Sequence, residues 1–196
     1  MLTIPSLYYK MDDLGMLDFK SIYYLSIGDM KWIPVKKISD SQDIICEGKN
    51  LTCFARCPNG DYWCFMREDG SSEPYVCFCE HTEFEAVYYA KSLSDAIFRE
   101  IIHYCKSAYF GDKEYQINEQ KLKQLLNQYL VCLNGILNEK QLEIITDLSH
   151  RSLTLQIYTQ DEWLALLSEE EYNRIVNSTI HFPLIDTTFP IEWIND

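Results

Sequence analysis

The sequence predicts an α+β fold: a twisted antiparallel sheet packed by helices, with a mostly helical C-terminal extension. Three observations predict it. Short runs rich in β-forming residues, separated by turn clusters, lie between residues 50 and 79. From Ser92 onward the apolar residues recur at helical spacing instead. A chain of 196 residues can bury roughly 70% of its unfolded surface, so such a core needs no disulfide or metal to hold it. The change of character after residue 111 suggests an α+β domain over 1–111. A mainly helical, acidic extension then covers 112–196, either part of the same domain or a body of its own.

Residues 1–45 are weakly patterned. Lys31-Trp32-Ile33-Pro34-Val35 reads as a short strand, with Pro34 marking an edge or a strand end, and Ser39-Asp40-Ser41 as a turn. Strands are expected at 50–56, 61–66 and 75–79, forming an antiparallel meander. Cys57-Pro58-Asn59-Gly60 joins the first two, Asn-Gly supplying the positive φ of a hairpin turn. Arg67-Glu68-Asp69-Gly70-Ser71-Ser72 joins the second and third. Ser92 followed by Asp95 resembles a capping box, opening a helix whose apolar face is Leu93, Ile97, Ile101, Tyr104 and Ala108, with Gly111 as its stop.

Farther on, Asn118 would cap a helix carrying Leu122, Leu125, Leu126, Tyr129 and Leu133 and ended by Asn134-Gly135. Asn138 with Gln141 would cap another through Leu148. Leu153, Leu155 and Ile157 alternate with polar residues, a strand pattern. Thr159 with Glu162, and Ser168 with Glu171, predict helices near 160–167 and 169–177. The tail from Phe182 carries two prolines and reads as an extended surface segment.

Charge narrows the function. Seventeen Lys and Arg stand against 30 Asp and Glu, a net charge of −13. Such a field repels nucleic acid, whose affinity rests on counterion release by basic side chains, and disfavours anionic membranes. It favours a basic protein partner and speeds the encounter with one; the alternative is that the acidity serves solubility alone. Residues 137–196 hold eleven of the acids and three of the bases. The N-terminus shows no basic region followed by an apolar run, and no stretch approaches about 18 uninterrupted apolar residues. A cytoplasmic protein without a membrane span is therefore expected, with its eight cysteines as reduced thiols. The glycosylation patterns at Asn50 and Asn177 are then chance matches.

The cysteines are the first chemical candidates. Cys53, Cys57 and Cys64 fall on the first hairpin, and Cys77, Cys79 and His81 alternate toward one face of a strand. Cys53, Cys57, Cys77, Cys79 and His81 are the ligand types of a tetrahedral zinc site, or of a thiol nucleophile and its base. No Cys-x-x-Cys knuckle accompanies them, and the same alternation arises from cysteines buried as small apolar residues. The sequence contains no phosphate loop, dinucleotide fingerprint, nucleophile elbow or His-Glu-x-x-His. The reading adopted has no catalytic residue, no cofactor and no metal. Between residues 61 and 85, aromatics (Tyr62, Trp63, Tyr75, Phe78) stand among acids (Glu68, Asp69, Glu73, Glu80, Glu83, Glu85). That mixture suits recognition of a basic protein, aromatics anchoring and carboxylates steering. Tyr62, Trp63, Glu80, Glu83 and Glu85 are the candidate contacts, against the alternative that the aromatics are core and the acids ordinary loop residues.

Asn59-Gly60-Asp61-Tyr62-Trp63-Cys64-Phe65 resembles the Gly-Asp-x-aromatic strand of the SUKH superfamily. Glu73-Pro74-Tyr75-Val76-Cys77-Phe78 resembles its Pro-Val-aromatic strand, and Ala90-Lys91-Ser92-Leu93-Ser94-Asp95-Ala96-Ile97 its helix start. The resemblance covers roughly residues 30–110; Ile4-Pro5 and Asp13-Leu14-Gly15 match that family's N-terminal signatures poorly, and residues 112–196 lie outside it. It implies helices against a twisted antiparallel sheet. It also implies a non-catalytic role, as in the immunity proteins that neutralise bacterial toxins, often nucleases, or the fungal regulators of cell-wall synthesis. The functional expectation is thus an immunity or interaction protein. The alternatives are a zinc- or thiol-dependent enzyme at the Cys/His set, and an acidic scaffold docking through its C-terminal half.

Overall fold

A computed structural model describes residues 4–28, 30–38, 44–47, 50–67, 73–107, 119–158 and 161–194. The chain divides into two compact units, one made of Met1–Ala96 with Phe182–Asp196, the other of Ile97–His181. The architecture is α+β. The turns expected at 39–41 and 68–72, the stop at Gly111 and the caps at Asn118 and Thr159 lie outside the described residues.

In the first unit, α1 (Ser6–Asp13) precedes β1 (Lys31–Trp32), a 3-10 turn over Val35–Lys37, β2 (Ile44–Ile45), β3 (Asn50–Arg56), β4 (Tyr62–Arg67), β5 (Tyr75–Cys79) and β6 (Glu85–Ala90). The main sheet is antiparallel, in the order β1-β3-β4-β5-β6 and then a C-terminal strand, Thr188–Pro190. Strand β1 is shorter than the expected 31–35: it ends at Trp32 on the sheet edge, Pro34 stands two residues beyond it, and Val35 opens the 3-10 turn. The tail is more than a surface strap: Thr188–Pro190 hydrogen-bonds to β6, and Glu192–Trp193 pairs with β2.

Strand β4 is central and buried on both faces: Trp63, Cys64, Phe65 and Met66 are all interior. One face carries an aromatic cluster in which Phe54 stacks on Phe65 at 4.1 Å and Tyr8 of α1 meets Phe65 edge-on at 5.3 Å. The register shifts between Cys53 and Ala55, so this bulge turns both Phe54 and Ala55 toward that face. The Tyr8 hydroxyl lies 2.7 Å from the carbonyl oxygens of Ile33 and of Phe54, which share its proton. This anchor fixes an eight-residue helix too short to persist on propensity alone.

The helix α2 (Leu93–Ser107) opens as expected: Ser92 Oγ accepts from the Asp95 amide at 3.2 Å and donates to its carboxylate at 2.8 Å. The second unit continues with α3 (Glu119–Cys132), α4 (Glu139–His150), β7 (Thr154–Tyr158), β8 (Asp161–Ala165) and α5 (Glu169–Thr179); in the first unit, β9 (Thr188–Pro190) and β10 (Glu192–Trp193) complete the chain. Asn138 and Gln141 form a reciprocal capping box at α4, and Ser168 accepts from the Glu171 amide at α5. The helix expected near 160–167 is instead strand β8, paired with β7 from Thr154↔Ala165 to Tyr158↔Asp161. A strand needs a partner, and the segment directly after β7 supplies it, overriding the local capping pattern of Thr159 and Glu162.

Candidate protein-interaction surface

The site begins at a turn. Cys57-Pro58-Asn59-Gly60 closes through a hydrogen bond from the Gly60 amide to the Cys57 carbonyl at 3.1 Å, with Pro58 second and Gly60 fourth, the positions proline and glycine prefer in a type I turn. The positive φ expected of Asn-Gly falls on Gly60 alone, at +103°. A Cβ there would meet the His81 ring at ordinary contact distance, 3.4 Å, so it is the positive φ that favours glycine.

The contact with the His81 loop is pinned by Asp61. Its carboxylate accepts from Asn59 Nδ2 at 2.7 Å, from the His81 amide at 3.0 Å and from His81 Nδ1 at 2.8 Å. Burial alone would raise the Asp61 carboxyl; the hydrogen bonds from His81 and Asn59 outweigh it and hold the group below its ordinary range. The ionised carboxylate is acceptor-only, so His81 Nδ1 carries the proton of this contact. The β3–β4 turn and the β5–β6 loop are therefore one rigid end of the sheet.

On that end stands an exposed loop, Glu80 to Phe84, followed by Glu85 at the start of β6, also exposed. Phe84 is 69% exposed. The tail holds the loop from the side: Trp193 Nε1 donates to the Glu83 carbonyl at 2.8 Å, and the Ile191 amide to the Phe84 carbonyl at 2.9 Å. Trp193 meets Tyr62 at 5.7 Å between ring centroids, and the Arg56 guanidinium lies 4.8 Å from the Tyr62 ring centre. The result is an aromatic platform beside four exposed carboxylates, Glu80, Glu83, Glu85 and Glu192.

Of the candidate contacts, Glu80, Glu83 and Glu85 are exposed and Tyr62 half-buried at this end. Trp63 is not on the surface: it is 5% exposed, packed against Phe78 at 4.8 Å and Tyr89 at 4.5 Å. Adjacent strand residues point to opposite faces, so Tyr62 and Trp63 never shared one surface. Phe84 and Trp193 take its place. Phe84 had a sequence signal, a large apolar residue between two acids in a turn; Trp193 had none, since its contact spans 110 positions.

The proposed Cys/His set does not converge as a whole. Cys53, Cys77 and Cys79 share one sheet face with Cys64, whereas Cys57 lies in the turn and His81 turns toward Asp61. Among the described residues no group of three or more His, Cys, Asp or Glu side chains is placed to hold a metal ion, and no helix is long and apolar enough to cross a membrane.

The second unit has a shallow cleft of about 250 Å³ between α4 and α5, lined by Ile144, Leu148 and Ile175 among charged side chains. Most of its charges are paired: Arg151 bonds Asp147 at 2.8 Å and Glu171 at 3.1 Å, and Arg174 lies 3.4 Å from Glu171. No family model matches the chain, and neither a curated protein nor a solved structure shows significant similarity to it.

Proposed function

We propose that the protein is a non-catalytic binding module that recognises a basic protein through the loop Glu80–Glu85 and the platform of Tyr62, Phe84 and Trp193. The observation that carries this reading is the exposed Phe84 held rigidly among Glu80, Glu83 and Glu85 by Asp61–His81 and by Trp193. An apolar anchor presented without loop-ordering cost, ringed by carboxylates, favours a cationic partner in both encounter and residence. The net charge of −13 extends the same preference over the whole chain. The SUKH resemblance and the antiparallel meander that carries it support an immunity protein acting in the cytoplasm on a basic toxin domain. A nuclease is the class whose phosphate-receiving surface such carboxylates would fill.

The test is a pull-down of interacting proteins by the parent and by the E80K/E83K/E85K variant, followed by titration of the captured protein. A basic partner should bind the parent, with an association rate that falls as salt rises, and should be lost from the variant. The variant's stability should stay within about 1 kcal/mol of the parent, since the replaced side chains are exposed. Equal affinity for parent and variant would remove this surface as the contact.

A further inference from the structure

A cluster of thiols spans three strands of the first unit's sheet, independent of the surface above. Cys53 on β3 stands opposite Cys64 on β4, and Cys64 opposite Cys77 on β5. Cys79, two residues beyond Cys77, points to the same face. The Cys53 and Cys64 sulfurs are 3.2 Å apart, and the Cys77 thiol donates to the Cys64 carbonyl at 3.5 Å. Cys64, Cys77 and Cys79 are wholly buried; Cys53 is half-buried. A reagent from solvent therefore meets this cluster at Cys53.

Directly opposed residues of antiparallel strands have Cα atoms about 4.5–5.5 Å apart, within the roughly 4.4–6.8 Å that a disulfide spans. Strands β3 and β4 thus already hold the two backbones as the bond requires, and only side-chain rotation separates the thiols from it. We propose that Cys53 and Cys64 are a reversible redox pair that a hydroperoxide closes into a cross-strand disulfide.

The chemistry balances in two steps. The Cys53 thiolate attacks a peroxide oxygen; the O–O bond breaks, hydroxide leaves and takes up the thiol's proton as water, and Cys53 becomes a sulfenic acid. The Cys64 sulfur then attacks the sulfenic sulfur, the S–S bond forms, the S–O bond breaks, and the hydroxyl departs as water with the Cys64 proton. Two thiols are oxidised and one hydrogen peroxide is reduced to two waters. A small dithiol reverses the closure by exchange. Cys64 is wholly buried and out of reach of a reagent from solvent, whereas Cys53 is not, which leaves Cys64 in the resolving role. The ring so closed contains the turn and Asp61, so oxidation tightens the base of the acidic loop.

The experiment uses the full chain carrying C132S, because Cys132 is exposed and open to direct attack by the reagent. The protein is treated with hydrogen peroxide under native conditions, alkylated and mapped by mass spectrometry. A single linkage joining the Cys53 and Cys64 peptides is expected, with two of the seven remaining thiols consumed and both recovered by dithiothreitol. C64S should stop at a sulfenic acid on Cys53 that dimedone traps, and C53S should leave the buried thiols unreacted. Linkage of Cys64 to Cys77, of Cys77 to Cys79, or an unreacted Cys53 at peroxide levels that oxidise Cys132 in the parent would each overturn the proposal. The peptide map of the C132S protein decides the matter even if C53S or C64S fails to fold.

Discussion

Strands β3–β5 of the first unit are nearly continuous runs of β-forming and apolar residues, whereas β7 of the second unit's hairpin alternates apolar with polar, and the two meet opposite surroundings. Around β4 both faces are buried, Phe65 and Cys64 wholly so. On the hairpin Leu155, Ile157 and Leu164 remain 56%, 69% and 44% exposed. Leu155 pairs with Leu164 and Ile157 lies two residues along, so the three side chains share one face. Either pattern specifies an extended chain with two sides; whether a side becomes core depends on a second layer, which only distant residues supply. Tyr8 of α1 and the tail around Phe189 supply it in the first unit.

The comparison breaks most sharply under truncation. Phe65→Ala removes a ring packed between Phe54 and Tyr8 and should cost about 3–5 kcal/mol in denaturant unfolding, whereas Leu155→Ala should cost below about 0.5 kcal/mol. Similar losses at the two positions would show that the hairpin face is covered in solution. Next in size is Asp61→Ala, which strands the His81 amide and ring; loss of hydrogen bonds to a buried carboxylate predicts about 1.5–3 kcal/mol at neutral pH. In the second unit, Asn138→Ala deletes one side of a reciprocal capping box and should cost about 1 kcal/mol.

Acid should act differently on the two units. Asp61 has a depressed folded-state pKa, so its contribution is complete above about pH 4 and disappears as pH falls through the lower folded value. His103 acts in the same direction but in a higher pH window: burial first, then Lys106 and Arg99, hold its imidazole below the ordinary range. The unfolded chain therefore binds the proton first, and stability declines as pH drops below about 6.5. Peptide-resolved hydrogen exchange should show α2 loosening between neutrality and pH 5 while the turn at 57–61 stays protected. His103→Gln should flatten that decline; an unchanged pH profile would contradict the assignment.

Much of this was legible in the sequence because the signals were local. The Ser92–Asp95, Asn138–Gln141 and Ser168–Glu171 caps and the Gly60 turn rest on residues within four positions of each other, and the meander joins strands adjacent in the chain. What escaped depends on distance along the chain. Helix α1 is anchored through Tyr8 to a carbonyl 46 positions away, β9 pairs with a strand that lies about a hundred residues earlier, and β8 follows its partner against its own capping pattern. At the candidate site the acids were legible as a cluster, but parity along β4 sends Trp63 inward, and the second aromatic of the platform arrives from the tail.

Hydrogen exchange of the chain with and without the basic protein that it captures tests the central claim most directly. Slowed exchange is expected in 79–86 and 188–194, where the acidic loop, Phe84 and Trp193 lie, and little change in 139–179. Protection confined to the β7–β8 hairpin or to α4 and α5, with the loop exchanging as freely as before, would contradict it.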